Sequence, residues 1–300
     1  MKSSTRFKIV DAFYLVMALL PLLVGIVLKI LFTPASEGVD VKGALIYFTI
    51  PMPFQDFPIT ESQVNSLIVV TTILFLCLFF THGLKVKPEL KRQHIAEWMV
   101  EKTDNLVNGN MGAYFRTFSP FIAAMIGLSV FSSLLSLLGL YPPTSDINIV
   151  SGWAILVFIL ITYYKFKCGP LNYLKSFGDP VPLLAPLNIV SEFATPISMA
   201  FRHYGNVLSG SVISLLLATA LSGLSSMVLG ALPGFLADIP IFQVGIPAVL
   251  SVYFDLFSGC LQAYIFAMLT MLYVSGGFNM DLYFERKEKK KAKKNKKVAA

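Results

Sequence analysis

The longest weakly charged part of this sequence carries one arginine and one aspartate in apolar surroundings. Between residues 196 and 277 the only formal charges are Arg202, Asp238 and Asp255. Asp238 belongs to the loop-forming segment LPGFLADIP, whereas the other two lie within or beside long apolar runs. An ionisable side chain in such a run is energetically costly and by default marks an ion path. For Arg202 the alternatives are a structural ion pair or a guanidinium that reaches the membrane surface.

Polar residues recur at helical spacing around both charges. Successive members of each set are three or four residues apart, so each set forms a stripe along one side of a helix. The two sets are Thr195, Ser198, Arg202, Asn206 and Ser209, and Ser251, Asp255, Ser258 and Gln262. Two facing stripes of this kind would line a wet path. Four glycines would let the helix backbones approach closely, namely Gly205, Gly210, Gly223 and Gly259.

The elements that carry these residues are predicted to be membrane-spanning helices. The chain is 55% hydrophobic and 14% charged, with a mean hydropathy of +0.70, which is too apolar for an ordinary soluble domain. The alternation typical of a membrane β-barrel is absent. We therefore predict an all-α integral membrane protein with about six transmembrane helices. The weakly charged stretches are 12–27, 64–80, 119–141, 149–164, 207–236 and 239–254, the last continuing to 277.

Basic residues predict which ends of the helices face the cytoplasm, because they accumulate in short cytoplasmic loops. They precede the first predicted span, separate the second from the third and follow the fourth. The connection 33–60 has three acids against Lys42, and the loops at Tyr141 and Asp238 have no basic residue. We therefore expect both termini to be cytoplasmic.

The first apolar run has two interpretations. Basic residues precede it and the small residues Pro34, Ala35 and Ser36 follow it, a pattern that also occurs in secretory signal peptides. The run is long for a signal peptide, so we favour a retained transmembrane helix.

The stretch 89–107 contains His94 and Glu97 at helical spacing, which is half of a possible metal site. Trp98 and Met99 lie among charged residues in the same stretch. This pattern favours an amphipathic helix along the cytoplasmic membrane surface.

Charge and motifs exclude several function classes. The net charge of +7 is concentrated in residues 286–297, which hold nine lysines and arginines against Glu288. Such a run favours a solvated tail over one that contacts anionic lipid or an acidic partner, and it does not predict nucleic-acid binding. The chain has no phosphate-binding loop, dinucleotide motif or nucleophile elbow. Its three cysteines have no metal-ligand spacing. We expect no cofactor, no bound metal and no site for ATP catalysis in this chain.

Four segments resemble subunit a of bacterial F-type ATP synthases. Two are specific: PISMAFRHYGNVLSG at 196–210 and LQAYIFAMLTMLYVS at 261–275. Two weaker ones, LKVKPELKRQHIAEWMVE and PPTSDINI, follow the second and third spans in the family's order. The resemblance covers about residues 66–277. It implies a channel subunit of the F0 stator in the bacterial inner (plasma) membrane.

The resemblance implies a mechanism and partners. Two half-channels would carry H⁺ or Na⁺ to and from a carboxylate on the rotating ring of c subunits, the c-ring, and so couple ion flow to ATP synthesis or hydrolysis. The partners would be the c-ring, the subunit b stator, the remaining F0F1 subunits and membrane lipid, without nucleic acid. The last two helices would be long and tilted against the c-ring.

The resemblance places Arg202 at the family's essential arginine, which faces the carboxylate of each passing ring helix. An arginine keeps its charge at every accessible pH. It would therefore displace the ion from that carboxylate and block direct leakage between the half-channels. Asn206 and Gln262 match family positions that orient or hydrate the guanidinium.

The half-channel residues match the family less closely. Ser211 and Asp255 stand where some members have a glutamate and a histidine, so one carboxylate would serve the outer half-channel alone. Asn188 stands where many members have a glutamate near the cytoplasmic side, and Glu192, one turn later, would substitute for it. His203 stands where the family usually has an apolar residue, and we favour a packing or interfacial role over a proton relay.

The span at the N-terminus is additional to the family's usual pattern, which gives the chain four expected parts. They are the N-terminal extra transmembrane helix 1–33, the extracytoplasmic segment 34–63, the core 64–280 with the amphipathic helix 89–107, and the basic cytoplasmic tail 281–300.

A secondary transporter is the alternative function, because an intramembrane arginine and aspartate on separate helices also suit an anionic substrate and a coupling ion. Such proteins usually consist of repeated halves, and the sequence has no internal repeat. A structural scaffold would leave the cost of Arg202 and Asp255 unexplained.

Overall fold

The computed structural model describes residues 2–32, 43–53, 55–86, 90–178, 181–229, 249–250 and 252–298. Helices dominate this part of the chain. In chain order the elements are α1 Lys2–Phe32, β1 Ile46–Ile50, β2 Phe57–Thr60, α2 Glu61–Thr81, α3 Lys91–Met111, α4 Ser119–Leu137, α5 Ile147–Cys168, α6 Pro170–Ser176, α7 Ala185–Leu229, the π-helix Val252–Ser258, α8 Gly259–Gly276 and α9 Met280–Val298.

Six helical segments of the described residues are long and apolar enough to cross a membrane. They are Phe7–Phe32, Glu61–Thr81, Ala113–Leu137, Ile147–Cys168, Pro182–Val228 and Val252–Gly276. This confirms the predicted all-α integral membrane protein. One small addition is the antiparallel hairpin of β1 and β2, which lies in the segment 34–63 and leads directly into α2.

The helix α7 is much longer than the apolar run predicted over 207–236. It has 45 residues and begins at Ala185, because Glu192, Pro196 and Arg202 interrupt the apolar pattern without ending the helix. At 1.5 Å per residue its length is about 68 Å, roughly twice the hydrocarbon thickness of a bilayer. The helix is therefore either strongly tilted away from the membrane normal or extends beyond the hydrocarbon layer. The expected loop at Asp238 lies outside the described residues.

The core of the bundle lies between α4, α5 and α8, against the end of α3 and one turn of α7. Buried apolar side chains from these elements form one cluster that includes Met111, Ile122, Val157, Met199 and Met271. In contrast, large apolar side chains on the outer faces of α1 and α7 are exposed. This distribution fits a protein whose outer solvent is lipid, in which helices satisfy their own backbone groups.

Two of the four glycines predicted to allow close helix approach do so. A Cβ added to Gly259 would lie 2.6 Å from Cβ of Ser133 on α4, and one added to Gly210 would lie 3.3 Å from Cβ of Phe254. No close approach is seen at Gly205 and Gly223, where an added Cβ meets no atom of the described chain within 4 Å.

The N-terminal helix α1 packs along α2 and is joined to its neighbours by polar contacts. Asp11 Oδ1 lies 2.6 Å from Nη1 of Arg92 and 2.9 Å from Nδ1 of His82. Near the middle of α1, the Thr72 hydroxyl donates to the Ala18 carbonyl at 3.2 Å. These contacts join α1 to α2 and to the start of α3.

A second polar contact of α1 lies near its C-terminus. Lys29 Nζ lies 3.5 Å from Oε1 of Glu61, the first residue of α2, whose side chain is almost fully buried. Polar contacts thus join α1 to the following helices near both of its ends.

The end of the bundle that carries the basic loops is closed by α9, the helix formed by the predicted tail. Arg286 Nη1 donates to the carbonyls of Phe166 and Lys167, at 3.3 and 3.2 Å, in the last turn of α5. A helix ends with carbonyls that have no partner within the helix, and a cation there is favourable. Arg286 therefore caps α5.

Candidate functional site

A hydrogen bond joins the two polar stripes predicted from the sequence. Asn206 Nδ2 on α7 donates to Oγ of Ser258, the last residue of the π-helix, at 2.8 Å. This bond brings the two stripes together where α7 meets the start of α8. The helical spacing predicted each stripe, but not that the two would meet. π-Helical turns inside longer helices often occur at functional sites. Nothing in the sequence pattern indicated this one.

Arg202 lies one turn before Asn206 on an exposed face of α7. Among the described side chains it has no ion-pair partner. Large apolar side chains elsewhere around the same turns are exposed too, with Phe201 at 60% and Ile197 at 55%. The guanidinium is thus presented outward from a helix whose remaining outer surface is largely apolar. The backbone of Asp255 belongs to the facing π-helix, but its side chain lies outside the described part of the structure.

His203, next to Arg202, and Gln262, the last member of the second stripe, are buried. The His203 ring is fully buried between Trp153 and Phe266, with ring centroids 6.0 and 5.4 Å away. Its Nε2 lies 3.3 Å from Oγ of Ser129. These contacts support the packing interpretation of His203. Gln262 Nε2 has no hydrogen-bond partner among the described residues, so the core beside the stripes retains an unused donor.

Glu192 lies in a cleft at the end of the bundle that carries the basic loops. Lys165 Nζ on α5 lies 2.7 Å from its Oε1 and 2.6 Å from its Oε2. The Tyr173 hydroxyl on α6 donates to Oε1 over a longer 3.4 Å. The cleft has a volume of about 200 Å³ and is lined by Phe158, Ile161, Lys165, Glu192, Thr195, Leu272, Tyr273, Gly276 and Gly277. It therefore reaches Thr195, the first residue of the Arg202 stripe.

The other proposed half-channel residues have local partners. Asn188 Nδ2 donates to the Phe177 carbonyl at 2.8 Å and so joins the start of α7 to the preceding segment. The exposed Ser211 hydroxyl donates to the Leu208 carbonyl of its own helix at 2.9 Å. Ser211 follows Gly210, whose Cα lies against Phe254, so the backbones at 211 and 255 belong to neighbouring segments.

Sequence reasoning missed the partner of Glu192. In the sequence Lys165 is one of the basic residues that follow the fourth span, and 27 residues separate it from Glu192. Contacts between helices leave no periodic signal in one sequence. A basic residue in the last turn of one span and an acid in the first turns of the next were the only available hint.

A buried polar cluster at the opposite end of the bundle was also missed. Glu61 is 2% exposed and accepts a hydrogen bond from the Tyr141 amide at 3.3 Å. The Ser62 hydroxyl donates to Asp146, and Asn65 Nδ2 donates to the Tyr141 carbonyl at 2.8 Å. Burial, with smaller contributions from Asp146 and other neighbours, raises the pKa of the Tyr141 hydroxyl to about 12, so it stays neutral at ordinary pH. The cluster joins α2 to the loop before α5.

Comparisons with known proteins agree with the resemblance in the sequence. The model of the family described as ATP synthase A chain matches residues 64–275. ATP synthase subunit a of Priestia megaterium is 35% identical over 237 residues, which cover 74% of this chain and 94% of that protein. ATP synthase subunit a of Macrococcus caseolyticus is 33% identical over 226 residues, covering 71% and 88%.

A third relative is named for its ion. It is the ATP synthase subunit a, sodium ion specific, of Propionigenium modestum, which is 28% identical over 277 residues, covering 82% of this chain and 88% of that protein. The matched residues include both polar stripes, Glu192, and Asn206 with its partner Ser258. The chain therefore belongs to the ATP synthase A chain family.

Proposed function

We propose that this chain conducts H⁺ or Na⁺ through two half-channels that meet at Arg202, and so couples ion flow to the rotation of a c-ring. Membership of the family makes it the ion-channel stator subunit of an F0 sector and a multi-pass protein of the bacterial plasma membrane. The observation that carries the proposal is the exposed guanidinium of Arg202 beside a polar stripe on α7.

An exposed arginine inside a membrane helix needs a partner that offsets the cost of its charge. Insertion of an arginine at the centre of a membrane helix costs about 3 kcal/mol. Among the described side chains no carboxylate offsets this cost for Arg202. A carboxylate on a passing ring helix would offset it, and the exposed Phe201 and Ile197 would pack against that helix. Each pairing would release the ion that the ring carboxylate held.

The two half-channels follow from what lies on each side of Arg202. Toward the basic end, Thr195 and the cleft at Glu192 form the first, with Asn188 near its opening. Toward the other end, Ser211 and Asp255 form the second. Asn206 and Gln262 would orient or hydrate the guanidinium. The permanent charge of Arg202 separates the two paths, because a cation does not pass a fixed positive charge in an apolar layer.

The basic end would face the cytoplasm under the positive-inside rule. Both termini, the surface helix α3 and the tail helix α9 would then be cytoplasmic, and the hairpin of β1 and β2 would be extracytoplasmic. The c-ring and the subunit b stator would be the direct partners. Because the ligands that select the ion lie mostly on the ring, the choice between H⁺ and Na⁺ is not set by Arg202.

The test is ATP-driven ion uptake into inverted membrane vesicles that contain the whole complex. Arg202→Ala is expected to abolish uptake at unchanged assembly, because the ring carboxylate loses the charge that displaces its ion. Arg116→Ala is a matched control, since this arginine is 73% exposed and its ion pair with Asp104, at 3.7 Å, is weak. Its uptake should equal that of the wild type.

Two results would contradict the proposal. One is undiminished uptake by an assembled Arg202→Ala complex. The other is a wild-type chain that never joins an ATP-hydrolysing complex. Either would favour the secondary transporter, which substrate-dependent uptake in the absence of ATP would then detect.

A further inference from the structure

Lys165 and Glu192 form a closely paired and partly buried ion pair. Both carboxylate oxygens lie within 2.7 Å of the ammonium nitrogen, and the side chains are 24% and 14% exposed. Exposed surface pairs usually contribute little because both side chains remain mobile. This pair is partly buried, and the Tyr173 hydroxyl on α6 also donates to Glu192, so the carboxylate is held from two sides.

The cleft is shaped around the lysine stem. A Cβ added to Gly277 would lie 3.0 Å from both Cγ and Cε of Lys165, so the absence of a side chain there makes room for the lysine. On another side, Nζ of Lys165 lies 5.6 Å from the centre of the Tyr173 ring. The ammonium therefore approaches Glu192 from a defined direction.

Glu192 also lies one helical turn before Thr195, where the polar stripe that contains Arg202 begins. Glu192 and Thr195 both line the cleft, and Thr195, Ser198 and Arg202 follow at helical spacing. Ten residues of helix separate Glu192 from Arg202, a rise of about 15 Å. A cation that travels between the cleft and Arg202 passes the Glu192 carboxylate.

We infer that Lys165 is a positioning residue of the cytoplasmic half-channel, a tethered cation that competes with the transported ion for the carboxylate of Glu192. The inference rests on the proposed function, because it assigns Lys165 a part in the same ion path. A conducting path needs sites that bind its ion weakly enough to release it. Without Lys165 the carboxylate would hold a proton or Na⁺ more tightly and slow its onward movement.

The other groups that face Glu192 do not replace Lys165. Tyr173 and Tyr273, from α6 and α8, are the further titratable side chains described around the cleft. Burial, and then the charge of Glu192, raise the pKa of Tyr173, so its hydroxyl remains a neutral donor. Lys165 is thus the cation that pairs with this carboxylate in the described structure.

The experiment measures the ion dependence of ATP-driven uptake into inverted vesicles, whose outer medium contacts the cytoplasmic face. The initial rate is titrated with pH in sodium-free medium and with Na⁺ at fixed pH, so that the two cations are distinguished. Removing a positive charge this close to a carboxylate is expected to raise its cation affinity about tenfold. For Lys165→Met the half-saturating concentration of the transported ion should fall by that factor.

Controls separate this role from a structural one. Lys167→Met removes the same charge from the same turn, where Lys167 lies over the Tyr163 ring rather than in the cleft, and should match the wild type. Lys165→Arg keeps a cation and should stay close to the wild type. In a Glu192→Gln background, Lys165→Met should produce no further shift, because the residue acts through the carboxylate.

Two results would overturn the inference while leaving the proposed function intact. One is an assembled Lys165→Met complex whose titration curve coincides with that of the wild type while Arg202→Ala still abolishes uptake. The other is a shift that persists in the Glu192→Gln background. If Lys165→Met does not assemble, Lys165→Gln removes the charge and keeps a polar side chain, and an unchanged curve for that variant would equally overturn it. Undiminished uptake by an assembled Arg202→Ala complex would instead contradict the proposed function.

Discussion

At the scale of single residues, the side chains on each stripe were predictable but their partners in the cleft were not. Arg202 and Asn206 follow the helical period on α7 and Ser258 follows it on the last span, so the sequence alone indicated two polar stripes. The ion pair of Lys165 and Glu192 depends on how two helices pack. No period in one sequence encodes that distance.

The bond between Asn206 and Ser258 is expected to couple these residues energetically. Asn206→Ala and Ser258→Ala should each lower the stability of the complex in detergent, and the double variant should be less stable than the wild type by less than their sum. The coupling should be about 1 kcal/mol, since hydrogen bonds between membrane helices have this modest strength. Thermal unfolding of the four members of the cycle measures it. Strictly additive effects would show that the bond does not hold the stripes together.

At the scale of elements, apolar runs predicted most helices but not the full length of α7. A run is broken by Glu192, Pro196 and Arg202, whereas the backbone continues as one helix. The contacts of the glycines were only half predictable for a related reason. Composition marks Gly205 and Gly259 alike, and only packing distinguishes the one that meets Ser133.

The crossing of α4 and α8 is expected to depend on Gly259. Gly259→Val should force the two helices apart, because even the first added carbon would overlap with Ser133. Overpacking of this kind costs about 1–3 kcal/mol. Gly223→Ala is the matched control, since its added carbon meets open space and alanine favours a helix. Thermal stability in detergent and the amount of assembled subunit in membranes measure both changes, and equal behaviour of the two variants would refute the expected crowding.

At the scale of the whole molecule, the sequence predicted the class and the family from about 66 to 277, but not how α1 joins the bundle. Its contacts run from Asp11 near one end to Lys29 near the other. These residues are ordinary flanking charges in the sequence. Only their positions opposite Arg92 and Glu61 give them a structural role.

Docking of α1 is expected to stabilise the whole bundle through Asp11. Asp11→Ala should lower the free energy of unfolding by about 2 kcal/mol, because Arg92 and His82 lose a charged hydrogen-bond partner. Glu285→Gln is a suitable control, since its pair with Lys289 is largely exposed and should contribute less than about 0.5 kcal/mol. Unfolding of the detergent-solubilised protein measures the difference. An Asp11→Ala protein as stable as the control would mean that α1 is only loosely attached.

The cap that Arg286 forms on α5 connects the tail helix α9 to the cleft at Lys165 and Glu192. Phe166 and Lys167, whose carbonyls it binds, directly follow Lys165 in the chain. An affinity tag or a protease site placed after Arg286 leaves this cap in place. A chain that ends before Arg286 would lose the cap on the last turn of α5. The orientation of the Lys165 side chain in the cleft would then change.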